Sequence, residues 1–381
     1  MGGRTIMKEL RTVIVAFGNM GRGYARYLWD GQIKGLKLAG ICCRNREGQE
    51  YIREHYEGVR IYQNDTEMLA HPEEYDAMII TTPHKEHVRV AGQALKQGTH
   101  VLCEKPAGIC AGEVRMLAEE AGRLDAAYAL IFNWRARPLF RRMKELLEEG
   151  VPGHITRIVW ISNIWYRTPA YHNAALWRSS WNGEGGGVLI NQGQHLLDMW
   201  QWLFGEPDAV RAFIDFGKFN DITVDDNADL FFEYKDGRKG TFITSTGEAP
   251  GSNHLEVHGS RGRLVLDRDT LVFEENEMST DEFAAINREP FGNLPWQARK
   301  IEVEKPEGTD PEYIEILQNF ADHILRGVQL IAPGSCGVIP LEMANGAYLS
   351  AWLDQKISFP IDDGLYGEML KRRQEEELAK N

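Results

Sequence analysis

A strand, a glycine turn and a helix follow one another near the start of the chain, and this order constrains the fold more than any other feature. Residues 12–17 are β-branched and apolar, and the turn after them contains Gly18, Asn19, Met20 and Gly21. Because the helix after such a turn points its unpaired N–H groups back at it, the order is typical of a pyrophosphate-binding site. The first glycine of the G-x-G-x-x-G pattern is replaced by Ala16. The turn by itself is therefore equally consistent with an ordinary tight turn.

The strand and helix pattern repeats along the first third of the chain. Apolar strands are expected at 36–42 and 75–81, a helix follows at 88–96, and another apolar run ends at residue 103. Repeated strand-helix units of this length predict an α/β fold with a parallel sheet and right-handed crossovers. We therefore expect a dinucleotide-binding domain over residues 1–132.

Length, charge and cysteine content exclude several classes of protein. A chain of 381 residues favours two domains. Its net charge of -13, without a compensating basic run, disfavours nucleic acid as a partner. Apolar runs are too short for a secretion signal or a membrane span. The 5 cysteines have no zinc-site spacing, so we expect reduced thiols, no metal and a cytoplasmic location.

The residues after the second strand bear on the choice of dinucleotide. An acid about 20 residues beyond the glycines normally binds the ribose hydroxyls of NAD. This chain has Cys43, Arg44 and Asn45 there. Arg44, with Arg46 close by, is compatible with the 2′-phosphate of NADP, and equally with a solvated surface loop. The expected cofactor is NAD or NADP.

The next strand ends in Thr82, Pro83 and His84, and His87 follows one helical turn later. Ligands bind at the carboxyl ends of parallel strands, so we expect these four residues beside the cofactor. The two histidines also raise the possibility of a metal, but no cysteine or carboxylate cluster joins them. The plainer alternative for His87 is a helix cap or a ribose contact.

Lys105 places a charged amine at the end of a buried strand and directly before Pro106, which prevents regular continuation of the chain. A single lysine is usually a solvated surface charge. At this edge of the sheet an ammonium would instead stabilise a developing alkoxide beside the cofactor. Glu104 is expected either to pair with Lys105 or to bind the cofactor ribose.

The segment from 160 to 181 is dense in aromatic residues: Trp160, Trp165, Tyr166, Tyr171, Trp177 and Trp181. Such side chains form either an apolar core layer or flat walls for the C–H faces of a carbohydrate. The segment is also rich in polar residues and has no sustained period, so we expect both uses. The expected substrate contacts are Trp165, Tyr166, Trp177 and Arg178.

The remainder of the chain predicts an open, mainly antiparallel sheet. Strands are expected at 209–216, 229–234, 239–246 and 254–259, with a further single run at 262–273. Residues 274–311 are expected to be an irregular surface excursion. Together with residues from 133 onward, these strands define a second α/β domain over 133–381.

Four stretches resemble one known family. Residues 98–106 contain Glu-Lys-Pro after a strand, residues 185–198 read Gly-Gly-Gly-Val-Leu-Ile-Asn-Gln-Gly-Gln-His-Leu-Leu-Asp, and residues 319–324 and 341–347 match closing helices. These stretches are similar to the glucose-fructose oxidoreductase/inositol dehydrogenase/rhizopine-catabolism (Gfo/Idh/MocA) family. The resemblance implies an N-terminal Rossmann domain, a C-terminal α/β domain and a homodimer or homotetramer in which another subunit covers the open sheet.

The resemblance also implies roles for three residues. Lys105 would lie by the nicotinamide and the substrate hydroxyl, His195 would transfer the proton, and position 191 would complete the site. A histidine suits proton transfer because its ordinary pKa of about 6.5 lies near working pH. Position 191 is an acid in inositol dehydrogenase-like members and Asn191 here. An amide binds a substrate hydroxyl or orients the imidazole, but it does not raise a histidine pKa as a carboxylate does.

From the residues alone, His195 is also compatible with bracing its own helix, whose face it shares with Asp198. Three functions follow. The leading one is an NAD(P)-dependent oxidoreductase that acts on a ring carbinol of a sugar, glycoside or cyclitol. The second is a glycoside-cleaving enzyme that works through a transient keto-sugar. The third is a non-catalytic sensor of sugar and cofactor, which only Asn191 favours.

Overall fold

The computed structural model describes residues 9–175 and 177–379, which divide into two compact units. The first unit contains the described residues up to 136 together with 307–338, and the second contains 137–306 and the chain from 339 onward. The predicted division assigned everything after 132 to the second domain. The helix Pro311–Arg326 instead belongs to the first unit, because it buries Ile316, Leu317 and Phe320 in that unit's core.

The first unit is a parallel sheet flanked by helices. Up to residue 136 its elements are β1 Leu10–Val15, α1 Asn19–Trp29, β2 Leu36–Cys42, α2 Arg46–His55, β3 Arg60–Tyr62, α3 Asp65–Leu69, β4 Ala77–Ile80, α4 His87–Lys96, β5 His100–Cys103, α5 Ala111–Ala121 and β6 Tyr128–Leu130. Every strand pair is parallel, and the spatial order is β3-β2-β1-β4-β5-β6. The order reverses between β1 and β4, which is the point where doubly wound sheets bind dinucleotides.

The second unit is built on a nine-stranded sheet. Between 137 and 306 it contains α6 Pro138–Glu148, β7 Ile155–Ser162, α7 Pro169–His172, α8 Gly193–Phe204, β8 Ala209–Phe216, β9 Asp225–Glu233, β10 Lys239–Ser245, β11 Asn253–Gly259, β12 Gly262–Asp267, β13 Thr270–Asn276, α9 Thr280–Ile286 and β14 Trp296–Ile301. The remaining elements of the chain are α10 Pro311–Arg326, which lies in the first unit, and α11 Val338–Leu353, β15 Ile357–Ser358 and α12 Asp363–Leu378.

The strand order of this sheet is β14-β13-β12-β11-β7-β10-β9-β8-β15. Within the described ranges its pairs are antiparallel apart from the parallel pair of β7 and β10. The expected mainly antiparallel sheet is confirmed. No helix in the described part of the chain is long and apolar enough to cross a membrane.

Two local predictions in this sheet are wrong. The single run 262–273 is two strands, because the chain reverses at Arg268, whose φ is 53°. The segment 274–311 is not wholly irregular, since it contains α9 and also β14, which pairs with β13. Five of the six residues of β14 are exposed, so the alternating hydrophobic pattern that marks a strand is missing there.

The glycine turn keeps its geometry although one glycine is replaced. Ala16 has a φ of 78°, a left-handed conformation that costs a residue with a Cβ about 1–2 kcal/mol. Gly21 lies against this turn, because a Cβ built on it would be 2.3 Å from the Ala16 carbonyl oxygen. The close approach of α1 to the end of β1 therefore requires glycine at 21, and it tolerates alanine at 16 with strain.

This strain predicts opposite effects of two small substitutions. Ala16→Gly should raise the free energy of unfolding by about 0.5–1 kcal/mol, since glycine adopts the left-handed region without a steric penalty. Gly21→Ala should lower it by about 1–3 kcal/mol through backbone overlap. Chemical denaturation of the full chain measures both.

Gly23→Ala is the matched control for Gly21→Ala. Gly23 also lies in α1, but nothing is within 4 Å of a Cβ built on it. The control should be neutral or mildly stabilising, because alanine is the better helix former. Equal destabilisation by the two glycine substitutions would contradict the predicted contact.

Candidate active site

His87 joins the loops that follow two neighbouring strands of the first unit. Its Nδ1 lies 2.7 Å from the carbonyl oxygen of Pro106, and its Nε2 lies 2.8 Å from that of Thr82. Thr82 follows β4, and Pro106 follows β5 and directly succeeds Lys105. The histidine is buried, so it holds the backbone on both sides of the sheet edge where Lys105 emerges.

Burial and neighbouring groups change the pKa of His87 in opposite directions. Burial lowers its pKa, the carbonyl oxygens of Pro106 and Thr82 raise it, and the Lys105 charge lowers it further. The net direction is downward, which favours the neutral ring. A neutral imidazole donates through only one nitrogen, so one of the two carbonyl contacts is an N–H···O hydrogen bond.

Glu104 is turned into the first unit. Its carboxylate accepts a hydrogen bond from the hydroxyl of Tyr24 on α1 and another from the backbone N–H of Lys105, at 3.0 Å. Burial raises the pKa of Glu104, while the Lys105 charge and these two donors oppose the rise. Of the two expected roles, the contact with Lys105 is present through its backbone, and Tyr24 is an additional partner.

The edge formed by the glycine turn and Thr82 fits a dinucleotide. Gly18 is the N-cap of α1 and provides no side-chain cap for its N-terminal N–H groups. The Thr82 Oγ1 is buried and has no hydrogen-bond partner among the described residues, and such an atom calls for a ligand. Asn19 and Met20 begin α1, and Pro83 and the buried His84 follow Thr82. The residues predicted to hold NAD or NADP therefore share one edge.

The three residues after β2 have structural partners of their own. Asn45 caps α2, since its Oδ1 accepts the N–H of Gly48 at 2.6 Å. Cys43 is buried, and burial raises its thiol pKa. The Arg44 guanidinium is 3.2 Å from Asp65, yet its side chain is 77% exposed. This arginine is thus accessible at the end of β2, where the adenine ribose is expected.

In the second unit, Asp225 organises the glycine-rich turn before α8. This buried carboxylate accepts the N–H groups of Gly187 at 2.6 Å and Leu189 at 2.9 Å, and the Tyr348 hydroxyl at 2.5 Å. A Cβ on Gly187 would meet the Asp225 carbonyl oxygen at 1.9 Å. The turn can therefore pack against the start of β9 only with glycine at 187.

Asn191 follows this turn and contacts a buried acid. Its Nδ2 donates to the Oε1 of Glu184 and, at 3.0 Å, to the Tyr171 hydroxyl. The other Glu184 oxygen accepts the backbone N–H of Ser179 at 2.7 Å. Because a carboxylate only accepts hydrogen bonds, it fixes the amide nitrogen of Asn191 on its side. The Asn191 carbonyl oxygen consequently points away from Glu184.

His195 lies in the first turn of α8 and is buried. Its ring centroid is 6.4 Å from that of Trp165. Asp198 is fully buried one turn later and accepts from Gln201 at 3.2 Å. The predicted proton-transfer residue and one predicted substrate contact are thus neighbours within the second unit.

The other predicted substrate contacts lie in the same loop segment, and the aromatic residues divide between two environments. Trp160 and Trp181 are buried core residues, Trp165 and Trp177 are half-buried, and Tyr166 is 53% exposed. Trp160 and Trp181 thus belong to the expected core layer, and contact with a carbohydrate stays a prediction for the other three.

Arg178 is braced inside the segment. Its guanidinium lies 4.7 Å from the Trp177 ring centroid and 4.6 Å from that of Tyr171. Its Nη1 donates to the Tyr171 hydroxyl at 2.7 Å and is 3.9 Å from Glu184.

Glu184, Tyr171 and Arg167 belong to this network, and sequence reasoning missed their importance. Glu184 directly precedes three glycines and is the first acid after a long stretch without one. That isolation was a usable signal, since a lone acid in such a stretch has a cationic or amide partner when buried. The carboxylate absent at 191 is therefore present one hydrogen bond away.

The sequence matches family models over both units. The model described as "Oxidoreductase family, NAD-binding Rossmann fold" matches residues 10–132, and "GFO/IDH/MocA C-terminal domain" matches 140–265. The first unit is a dinucleotide-binding Rossmann domain, as its strand order requires. The chain belongs to the Gfo/Idh/MocA family of oxidoreductases, which confirms the expected resemblance.

Individual relatives are distant. A myo-inositol 2-dehydrogenase of Thermotoga maritima is 26% identical over 281 residues, which is 70% of this chain and 79% of the relative. A levoglucosan dehydrogenase of Pseudarthrobacter phenanthrenivorans is 26% identical over 252 residues, 57% of this chain and 64% of the relative. For the latter, the match spans less than two thirds of the relative's length.

A solved structure of the WlbA dehydrogenase from Bordetella pertussis, in complex with NADH and UDP-GlcNAcA, has the same fold. Its TM-score is 0.76 at 20% sequence identity, over 93% of this chain and 99% of that chain.

The geometry around His87 predicts a pH-dependent effect of His87→Gln. Because the pKa of His87 is lowered in the folded state, the unfolded chain binds a proton on this ring more readily than the folded chain does. The stability contributed by neutral His87 is therefore present above about pH 6.5 and declines below it. The decline is at most about 1.4 kcal/mol per pH unit. The stability difference between wild type and variant should therefore be larger at pH 7.5 than at pH 5.5. Thermal unfolding at both pH values measures it. A difference that grows at pH 5.5 would show that the folded ring is charged.

Because Asn191 and Glu184 are in contact, exchanging the amide and the carboxylate between the two positions should restore stability that a single substitution loses. Asn191→Asp should lower the free energy of unfolding by about 1–3 kcal/mol, because two carboxylates would then face each other. The double variant Asn191→Asp with Glu184→Gln should recover at least half of this loss, since the new glutamine donates to the aspartate and still accepts from Ser179. Denaturant titration measures both, and additive losses would contradict the contact.

Proposed function

We propose that the protein is an NAD(P)-dependent oxidoreductase that transfers a hydride between nicotinamide and a ring carbinol of a sugar, glycoside or cyclitol. Lys105 and His195 handle the hydroxyl proton. The observation that carries the proposal is the position of Lys105 two residues beyond β5, at the carboxyl edge of a Rossmann sheet, with its backbone held through Glu104 and Pro106. Relatives named as dehydrogenases of myo-inositol and levoglucosan support the substrate class.

The reaction requires two transfers from the carbinol. NAD(P), held at the edge formed by the glycine turn and Thr82, would supply the acceptor for the C–H hydrogen as hydride. The Lys105 ammonium binds the carbinol oxygen and stabilises the negative charge that develops there. His195 accepts the hydroxyl proton, which leaves a ketone as product, and returns it in the reverse direction.

Asn191 binds a substrate hydroxyl or orients an imidazole through its carbonyl oxygen. Glu184 and Tyr171 hold its amide nitrogen, so the oxygen is the atom that Asn191 presents on its other side. An oxygen in this role accepts a hydrogen bond from a substrate hydroxyl or from an imidazole N–H. The site thus retains an acceptor where related enzymes use an acid.

Glu184 also bears on the alternative functions. The sensor hypothesis depended on the loss of the acid at 191, and a buried carboxylate in contact with Asn191 removes most of its support. Redox-assisted glycoside cleavage uses the same residues, so only the products separate it from simple oxidation.

We further propose a cytoplasmic homodimer or homotetramer. Phe213 on β8 and Phe231 on β9 are exposed on the large sheet, with ring centroids 6.2 Å apart. Exposed neighbouring aromatic residues on an open sheet are typical of a face that another subunit covers.

Substitution of the two proton-handling residues tests the proposal. The full chain would be incubated with NAD or NADP and a panel that contains myo-inositol, levoglucosan and common hexoses, and reduced nicotinamide would be followed by absorbance. Lys105→Ala and His195→Ala should each lower kcat by about 10²- to 10⁴-fold, the usual contribution of a positioned acid-base group.

Lys96→Ala and His254→Ala are matched controls, because both side chains are solvent-accessible and paired with surface acids. They should retain wild-type turnover. Full activity of Lys105→Ala and His195→Ala would refute the assignment. Release of an aglycone from a glycoside without net NADH would assign the same residues to glycoside cleavage.

A further inference from the structure

The loop segment that carries the candidate substrate contacts is cationic in an acidic protein. Residues 163–183 contain Arg167 and Arg178 and no aspartate or glutamate, although the whole chain has a net charge of -13. A local excess of positive charge of this kind attracts anionic ligands.

The two arginines differ in how their charges are neutralised. Arg178 is 3.9 Å from the buried Glu184. Arg167 lies within ion-pair distance of no carboxylate in the described chain, and its Nε is buried without a hydrogen-bond partner there. Its guanidinium packs over the Tyr171 ring, 4.4 Å from the centroid. A partly buried cation with an unpaired donor is costly unless a ligand completes it.

Other nearby charges do not compensate Arg167. The Asp226 carboxylate accepts the backbone N–H groups of Lys218, Phe219 and Asn220, so its oxygens are already engaged. Burial lowers the pKa of His172, and Arg167 and Arg178 lower it further against the opposing effect of Asp226. His172 therefore adds no positive charge of its own.

Arg167 is close to the candidate catalytic residues of the same unit. It is two residues from Trp165, whose ring is beside that of His195. The hydroxyl of Tyr171, the ring beneath the guanidinium, is 3.0 Å from the Asn191 amide nitrogen. Arg167 and Asn191 therefore contact the same tyrosine, one at its ring and the other at its hydroxyl.

Two more buried polar atoms in this place have no partner among the described residues, namely His172 Nε2 and Thr246 Oγ1. Both residues line a cavity of about 10 Å³ together with Tyr171, Asn191 and the acids Glu184 and Asp225, which has room for one water molecule at most. The Thr246 carbonyl oxygen accepts the backbone N–H of Arg167 at 2.8 Å. The unpaired Nε of Arg167, which does not line this cavity, is the group that calls for a polar ligand.

We propose that the substrate carries an anionic oxygen group, a carboxylate or a phosphate, and that Arg167 binds it. Arg178, neutralised by Glu184, instead holds Tyr171 in place. The identification of this anionic ligand as a substrate rests on the proposed function. The binding of an anionic sugar is testable separately from turnover.

Matched sugars that differ only at C6 provide the test. D-glucose, D-galactose and D-mannose would be compared with their uronates and their 6-phosphates, by calorimetric titration of the full chain saturated with NADH. At least one anionic sugar should bind tenfold or more tightly than its neutral parent, and 0.5 M NaCl should weaken that binding. The uronate and phosphate arms distinguish the two sources of the anion.

Variants of Arg167 locate the anion site. Arg167→Gln should weaken binding of the anionic sugar about 10- to 100-fold, as expected for loss of a charged hydrogen-bond partner. Arg167→Lys keeps the positive charge, so it should retain part of the affinity that Arg167→Gln loses. Arg299→Gln removes the same charge from an exposed position on β14 and should leave anion binding unchanged.

Equal binding of neutral and anionic sugars, or unchanged anion binding by Arg167→Gln, would overturn the proposal, as would failure of every anionic sugar to bind. Reduction of NAD or NADP by neutral sugars alone would refute only the anionic substrate. Binding of an anionic sugar through Arg167 with no cofactor reduction by any sugar would support the anion site and refute the proposed function.

Discussion

One buried histidine controls the edge of the parallel sheet on which the first unit's chemistry depends. His87 contacts the carbonyl oxygens that follow both β4 and β5, so two loops that would otherwise move independently share one partner. Loop backbone is normally the most mobile part of an α/β sheet. A lysine on such a loop stabilises charge only when its backbone is held, and here Glu104 provides a second hold through the Lys105 N–H. Burial in this bridging position lowers the pKa of the ring, against the two carbonyl oxygens that raise it.

In the second unit, buried carboxylates hold the groups of the candidate site in place. Asp225 holds the backbone of the glycine-rich turn, and Glu184 holds the amide of Asn191. Burying a carboxylate is unfavourable unless donors surround it, and each of these acids has several. The consequence for chemistry is that the negative charge is displaced from position 191 to position 184. Asn191 then contributes a neutral acceptor, while Glu184 balances Arg178, and Arg167 packs on Tyr171 without a carboxylate partner among the described residues.

Most of the architecture was predictable because hydrophobic periodicity and turn chemistry are local. The strands at 36–42 and 209–216 were predicted with the bounds that the structure has, since apolar residues in them are continuous or alternate regularly. The strand β14 was missed because its residues are almost all exposed, and burial is what makes a strand recognisable. The membership of α10 in the first unit was missed because its amphipathic face does not say which core it joins.

The sequence by itself determined the class of fold, the dinucleotide edge and the place of Lys105 at a strand end, because these follow from short local motifs, whereas Asn191 and His195 were indicated by the family resemblance. Only the tertiary structure decided which side chains neutralise one another. Glu184 and Asn191 are joined by a hydrogen bond, Glu104 is bonded to Tyr24 across 80 positions, and Arg167 stacks on Tyr171 without a carboxylate within the described ranges. Pairing of this kind depends on the distances and burial that packing creates, and no local pattern of residues encodes them.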